Sequence, residues 1–543
     1  VVTVATGTVL AGLGVGLNAV RAEVFRVKPQ AAIPGPAKHS GDADQERELL
    51  SGAITAVASY LDELAVKAGD TSAEIFEALK MLLEDEDLFE TAGAEIDAGW
   101  NAATAFINAV DQLGEIFAGD AAFEERLVDL QDLARRVAAH IAGVPMGLDL
   151  PQTGRFVIVG DDFSPADTAQ FTEAVVGVVT IKGGPTSHTA IICRSKSIPA
   201  VVSCTAAADL LDGVEVLVDP VGDRVVVGGD DSMATKAITF VAKSLDPIIP
   251  VRANIGSLDD SIQAATTAAN GVGLFRTELL YLSETSVPSR DKQARAYAEI
   301  LKAAPEGPIV VRTIDAGSDK PVPFLDMPHE ENPALGIRGF RLIQDHRQFL
   351  VDQLESLEVA RAESGREVWV MAPMIATSQE AIEFASMAKA AGSFKVGIMV
   401  ETPSIAMALG DLKGELDFIS VGTNDLSQYL FAADRMNAGL GALLNPWQPA
   451  LIRMLEKIAQ DSLANDISSG VCGESASDPA FAVVLAGLGF KSVSASRSQV
   501  GAVRSALSAV TEDQASEIAK LALAATNAEQ CKSVVLDALA KLA

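Results

Sequence analysis

The sequence predicts a multidomain α/β protein: a domain of short Val-rich strands interrupted by a helical bundle, then a (β/α)8 TIM barrel. Long amphipathic stretches lie between two sets of short strands, a polar segment rich in Pro and Gly marks the first crossing, and the last part alternates strand with helix.

Residues 1 to 28 read as short strands. The run VVTVATGTVLAGLGVGLNAV is apolar, but it lacks a basic flank and carries glycines at strand-and-turn spacing, so it reads as folded structure rather than a signal peptide. The chain starts on Val1 rather than Met, and a few residues are expected to precede it. The segment AAIPGPAKHSGDADQ then reads as a linker. From Glu46 to about Gly143, stretches such as ITAVASYLDELAVKA and FEERLVDLQDLARRVAAHIAG repeat apolar residues at three and four, the mark of packed helices. Strands return in RFVIVGDDF, VVGVVTIKGG, IPAVVS, GVEVLVDP and DRVVVGG, and the N-terminal strands are expected to pack with them across the helical insertion. After SLDPIIPVRANIG the runs VRANI, VGLFRTE, IVVRTID, VWVMAPM, VGIMVE, FISVGT, SGVCGE and SVSAS read as the parallel strands of a barrel. The expected domains are therefore 1–28 with 144–230, a helical domain at 45–143, a linker at 231–249, and the barrel at 250–543.

A chain of 543 residues exceeds what one hydrophobic core organises, and 49% hydrophobic with 21% charged residues is the composition of a soluble globular protein. A formal charge of −31 argues against nucleic acid as a partner, since a phosphate backbone would be repelled. A basic protein partner would be attracted, although an acidic proteome gives the same balance with no partner at all. Cys193, Cys204, Cys472 and Cys531 form no CxxC pair, which disfavours a disulfide framework or a zinc site and fits a reducing cytoplasm. No stretch reads as a membrane span.

The segment KGGPTSHTAIIC, Lys182 to Cys193, places glycines before Thr186, Ser187 and His188 and an apolar run after them. Glycines allow close backbone approach, and N–H groups at a helix start attract a phosphoryl group. A neutral imidazole beside such a site is a good nucleophile near pH 7, and a neighbouring hydroxyl can orient the ring or hold the transferred group. A lone histidine is more often structural than catalytic; the loop around this one changes that balance. GG-x-TSHTA followed by IPAVV resembles the phosphohistidine signature of the phosphoenolpyruvate-utilising enzymes, which include Enzyme I of the bacterial phosphotransferase system, pyruvate phosphate dikinase and phosphoenolpyruvate synthase. Pro185 stands where Enzyme I more usually has Arg.

Taking phosphate from phosphoenolpyruvate (PEP) requires cations around the phosphate, a carboxylate clamp, a metal for the developing enolate and an acid for its methylene carbon. Arg276 in GLFRTE, Arg312 in VVRTID and Arg435 in AADRMN are candidates for phosphate or carboxylate, with Lys320 and Arg338 assisting. Glu401 in VETP and Asp425 in GTNDLSQY suit Mg²⁺, Asn424 could hold the substrate's polar end, and Cys472 in GVCGES could be the general acid. Singly, each arginine is more often an ion-pair residue and each carboxylate a helix cap. Together, FRTE, VRTIDAGSDK, EENPALGIRG, VETP, VGTNDLSQY, DR-x-N and CGE recur in the order and spacing of the Enzyme I substrate-binding domain, and the resemblance covers essentially the whole chain. Ala316 and Ser318 depart from the family's IGGDK.

The resemblance implies that Arg276, Arg312, Asn424 and Arg435 bind PEP, that Glu401 and Asp425 bind Mg²⁺, that Cys472 donates the proton and that His188 accepts the phosphoryl group. It further implies a swivelling phosphohistidine domain, a helical domain that docks the phosphocarrier HPr, a homodimer formed through the barrel, and a place at the first step of sugar uptake. The rival dikinase and synthase activities require a large ATP-binding domain, for which the sequence before His188 shows no P-loop. A regulatory relative would have lost a catalytic residue, and the expected set is present.

Overall fold

The computed structural model describes residues 4–16, 18–27, 35–39, 41–68, 73–116, 121–151, 153–184, 187–196, 198–235, 238, 240–244, 246–281, 284, 286–317, 322, 324–325, 327, 330–343, 346–435, 437 and 440–542, with the backbone alone at 66–68, 73–75, 77–78, 86, 115–116, 121–126, 128, 188, 191, 195 and 343. The chain divides into two compact units, Val1–Ala237 with Met436–Ala442, and Ile238–Arg435 with Leu443–Ala543.

The first unit contains an eight-stranded sheet formed by β1 (Val9–Ala11), β2 (Leu13–Val15), β3 (Val20–Arg26), β4 (Phe156–Gly160), β5 (Val175–Thr180), β6 (Ala200–Val202), β7 (Glu215–Asp219) and β8 (Arg224–Val227), in the order β1-β8-β7-β3-β4-β5-β6-β2. As expected, the N-terminal strands pair across the helical insertion: β3 runs parallel to β4, Glu23 opposite Phe156, and antiparallel to β7. Side chains alternate along β4, so Val157 and Val159 join one apolar cluster while Phe156 and Ile158 join another. Burial on both faces is why FVIVG reads as an unbroken apolar run.

The insertion forms α1 (Ala43–Ala68), α2 (Ala73–Leu83), α3 (Glu86–Asp97), α4 (Ala102–Ile116) and α5 (Ala121–Ile141), packed through Leu50, Val57, Leu61, Phe106, Val110 and Val137 among others. Its last helix is bolted to the sheet region by Arg136. That fully buried guanidinium pairs with Asp132 at 2.8 Å and with Asp167 at 2.7 Å, and donates to the Met146 carbonyl. Asp167 lies in α6 (Pro165–Thr168), whose capping box with Ser164 fixes its carboxylate. The helix α7 (His188–Ser195) completes this unit.

The second unit is a closed barrel of parallel strands, β9 (Val251–Ile255), β10 (Val272–Arg276), β11 (Ile309–Arg312), β12 (Val368–Ala372), β13 (Lys395–Val400), β14 (Phe418–Val421), β15 (Ser468–Val471) and β16 (Ser492–Ala495), β16 closing on β9. These are the eight runs read from the sequence. Between and after them lie α8 (Leu258–Ala265), α9 (Arg290–Ala303), α10 (Phe340–Ile343), α11 (Arg347–Ser364), α12 (Ser378–Ala391), α13 (Pro403–Met407), α14 (Thr423–Phe431), α15 (Pro449–Ala464), α16 (Pro479–Leu488), α17 (Val500–Ser508), α18 (Glu512–Ala524) and α19 (Ala528–Ala540). Leu274, Val310, Trp369, Met371, Met399, Phe418 and Cys472 fill the barrel interior, and the larger core lies between strands and helices. Among the described residues no helix is long and apolar enough to cross a membrane.

Candidate active site

The histidine loop follows β5. Its Gly183 has φ +78°, and a Cβ there would lie 2.7 Å from Asp162 Oδ2, so glycine is needed for both backbone and space. Asp162 also accepts from Thr189 Oγ1 at 2.6 Å, while Thr189 is buried and receives the Phe163 N–H at 3.2 Å. The backbone of His188 opens α7, and Ser187 caps that helix by accepting from the Ala190 N–H at 3.3 Å. The Ser187 hydroxyl, one of those expected to orient the ring or hold the phosphoryl group, is therefore engaged in capping. Pro185, Thr186 and the His188 side chain lie outside the described residues.

In the barrel the register pairs Arg276 directly with Arg312, so adjacent strands deliver two guanidiniums to the same rim. Arg312 is 5% exposed, ion-paired with Glu278 and, at 3.0 Å, with Asp315. Burial opposes its charge, but Glu278, Asp315 and Glu401 outweigh that and hold its pKa above the ordinary arginine value. Arg338 is wholly buried. It grips Asp315 through Nε at 2.9 Å and Nη2 at 3.0 Å, and Asp425 through Nη1 and Nη2, both at 3.1 Å. Arg435 reaches Asp425 at 3.6 Å and remains partly exposed. Asn424 Oδ1 accepts from the Glu474 N–H at 3.2 Å, which joins the end of β15 to the start of α14. Only a residue without a side chain permits this close approach, since a Cβ at Gly473 would lie 1.9 Å from Thr423 Oγ1.

Glu401 follows β13 and is fully buried. One oxygen accepts from the Met374 N–H at 2.6 Å, while Oε2 has no hydrogen-bond partner. Burial, with Asp425 and Asp315 adding to it, pushes its carboxyl up to about 8 against the pull of Arg312 and Arg338. Cys472 follows β15, is 2% exposed and donates to the Val421 carbonyl at 3.5 Å. Burial pushes this thiol up to about 11, so it holds its proton at neutral pH.

The carboxylates suit a divalent cation. Glu401 presents a buried oxygen without a hydrogen-bond partner, and although Arg338 and Arg435 already pair with Asp425, the net effect of burial and the neighbouring carboxylates still disfavours the Glu401 anion, which a cation would relieve. Among the described residues no group of three or more His, Cys, Asp or Glu side chains could hold a metal ion. Two protein carboxylates, with the remaining positions left to water and substrate, is how Mg²⁺ is usually held.

Family models match most of the chain. The model of the PEP-utilising enzyme PEP-binding domain matches residues 234–512, that of the mobile domain 153–221, and that of the N-terminal region 4–126. The chain belongs to the PEP-utilising enzymes. This PEP-utilising enzyme is 37% identical to the phosphoenolpyruvate-protein phosphotransferase of Streptomyces coelicolor, over 97% of this chain and 98% of that protein. It is 33% identical to the protein of that name from Staphylococcus carnosus, over 91% and 93%. A multiphosphoryl transfer protein of Rhodobacter capsulatus is 35% identical over 87% of this chain and 60% of its own length.

The structure brings Arg276, Arg312, Glu401, Asn424, Asp425 and Cys472 to the C-terminal ends of the barrel strands or just beyond them, and Arg338 and Arg435, from later in the connections, join them through Asp425. Lys320 and Ser318 lie outside the described residues. Ala316 is buried, its carbonyl accepting the Gly339 N–H at 2.8 Å. The pairing of Glu278 and Asp315 with Arg312 carried no signal in the sequence. Met374 carried no signal, yet it adopts φ +57° in this PEP-utilising enzyme and turns its N–H onto Glu401.

Proposed function

We propose that this chain is a phosphoenolpyruvate-protein phosphotransferase of the Enzyme I type, working in the cytoplasm as a homodimer formed through its barrel. It takes the phosphoryl group of PEP onto His188, passes it to the phosphocarrier HPr and releases pyruvate, the first step of sugar uptake by the phosphotransferase system. The observation that carries the reading is the strand-end cluster. It combines guanidiniums in register, a buried carboxylate suited to a cation and a thiol that keeps its proton, which together are what breaking PEP into phosphoryl and enolpyruvate demands.

In this reading the His188 imidazole attacks phosphorus, the bond from phosphorus to the enol oxygen breaks, and its electron pair leaves with enolpyruvate. Arg276 and Arg312, with Lys320, hold the phosphate oxygens. Arg435 and Asn424 hold the carboxylate end. Arg338 fixes Asp425 and Asp315 and adds its positive field. Glu401 and Asp425 would hold Mg²⁺, which would supply charge neutralisation to the substrate. The Cys472 thiol gives its proton to C3 and is reprotonated from water. His188 and the barrel residues belong to different domains, so the swivelling domain, 1–28 with 144–230, moves between the barrel at 250–543 and HPr docked on the helical domain at 45–143, using the linker 231–249.

The test is phosphorylation by labelled PEP with Mg²⁺ and without ATP, comparing the parent chain with His188→Ala. An acid-labile, alkali-stable phosphohistidine that disappears in the variant supports the reading. Well-folded protein that takes no label from PEP, or takes it only from ATP, overturns it.

A further inference from the structure

We infer that Gln353 and Thr277 form a buried clamp that spaces Arg276 and Arg312 for the phosphate, Gln353 acting as a positioning residue from the middle of α11. The inference rests on the roles proposed above for those arginines and concerns what holds them apart at a fixed distance.

Gln353 and Thr277 are both fully buried. The amide orientation of Gln353 is set by the backbone: the Ile314 N–H donates to its Oε1 at 3.2 Å, so its NH₂ must face the other way. There Nε2, with two protons, lies within hydrogen-bond distance of Thr277 Oγ1 at 3.1 Å, Tyr297 OH at 3.1 Å and Tyr281 OH at 3.3 Å, one proton reaching Thr277 and the other shared between the two phenols. Thr277 Oγ1, receiving that bond, spends its own single proton on the Arg312 carbonyl at 2.8 Å. One side chain from a helix thus ties the residue following Arg276 to the main chain on both sides of Thr313.

The register between β10 and β11 slips between Val272 and Phe275, so ladder pairing alone leaves the end of β10 less constrained than an even ladder would. The clamp acts where that freedom would otherwise be felt. It is backed by Tyr281, which donates to Gln293 Oε1 at 2.9 Å, and by Gln293 Nε2, which donates to the Pro288 carbonyl at 3.1 Å. Burial pushes the Tyr297 phenol up to about 12 and raises Tyr281 well above the ordinary tyrosine value, so both keep their protons. A connected polar network in a place that apolar side chains could fill is expensive unless each member is satisfied, and its return is fixed geometry.

Gln353→Met and Thr277→Val remove the hydrogen bonds at nearly constant volume, and Thr277→Ser keeps the hydroxyl. The intact protein is assayed for kcat and KM in phosphorylation by PEP, for phosphoryl transfer to HPr after loading with excess PEP and desalting, and for thermal unfolding. A loosened arginine pair raises KM for PEP and lowers kcat/KM by about 10- to 100-fold, the cost expected for roughly 1 Å of misplacement. Transfer from the loaded protein to HPr is unchanged, Thr277→Ser restores most of the loss, and the double variant Thr277→Val/Gln353→Met is no worse than the poorer single one. The clamp is overturned if folded Gln353→Met and Thr277→Val stay within twofold of the parent for PEP, if Thr277→Ser behaves like Thr277→Val, or if both half-reactions fall together. Arg312→Met separates the two claims. If it leaves PEP use intact the proposed site fails, whereas if it abolishes PEP use and the clamp variants are neutral, the clamp alone fails.

Discussion

Replacing Cys472 by Ala should separate the two halves of PEP cleavage. In the folded protein burial pushes this thiol up from 9.0 to about 11. At pH 8 a thiol of that kind is thiolate in about 1 molecule in 10³, against about 1 in 10 at the unshifted value, so the acid form is present throughout the working range. In the proposed mechanism the thiol then serves as a proton donor rather than a nucleophile, and the loss belongs to protonation of C3. A positioned general acid contributes on the order of 10²- to 10⁴-fold, so pyruvate formation on the protein should slow by that factor while labelling of His188 in a single turnover is nearly unchanged. The protein would then release enolpyruvate, which picks up its proton in solution from either face. The assay is methyl chirality of pyruvate made from PEP carrying hydrogen isotopes in a defined arrangement on C3. The parent gives one configuration and Cys472→Ala gives racemic product. Chiral pyruvate from the variant, or loss of His188 labelling in proportion to pyruvate, would refute the reasoning.

Further expectations concern the metal, the loop, the helical bolt and the thiols. Mg²⁺ should raise the melting temperature of the parent and Glu401→Gln should abolish that rise, because Oε2 is the buried oxygen without a protein hydrogen-bond partner; an undiminished rise in the variant would place the cation elsewhere. Gly473→Ala forces a Cβ to within 1.9 Å of Thr423 Oγ1 and should displace the start of α14, lowering kcat/KM for PEP by about 10²-fold; a change below threefold counts against the placement of Asn424 and Asp425. Arg136→Met leaves Asp167 buried without its cation, while Asp132 keeps Arg135, and should cost about 3–5 kcal/mol, read by calorimetry of the intact chain, with Asp167→Asn in the same molecule recovering part of it. The buried Cys193 thiol is pushed up from 9.0 to about 12, so above pH 9 the unfolded chain loses a proton that the folded one keeps. Stability is full below pH 9 and falls as pH rises toward 12, by a few kcal/mol for this group, and Cys193→Ala should flatten that part of the curve.

The architecture was legible where it depended on local pattern. Barrel strands such as VWVMA are apolar throughout because both of their sides are buried, and helices of the bundle repeat at three and four because one face is. Strand order in the sheet was less legible: β3 lies between β7 and β4, although the helical insertion separates it from both in the chain, and local alternation carries no address. In the site, Arg276, Arg312, Glu401 and Asp425 were visible because each ends a strand or lies a few residues after one, and Arg338 and Arg435 because each sits in a short motif. What hid was the set of residues that hold them, since Gln353 looks like any residue of an amphipathic helix and Met374 like any apolar one.

By itself, then, the sequence determined the kinds of element, their order, and which reactive side chains would reach the ends of barrel strands, because backbone periodicity and short motifs are local properties. Only the tertiary structure decided that Arg312 is shared between Glu278 and Asp315, that Arg338 stands between Asp315 and Asp425, that Glu401 keeps one buried oxygen without a partner, and that burial keeps the Cys472 thiol protonated. Charge, pKa and hydrogen-bond commitment depend on distance and burial, and those are set by segments far apart in the chain that meet when the barrel closes.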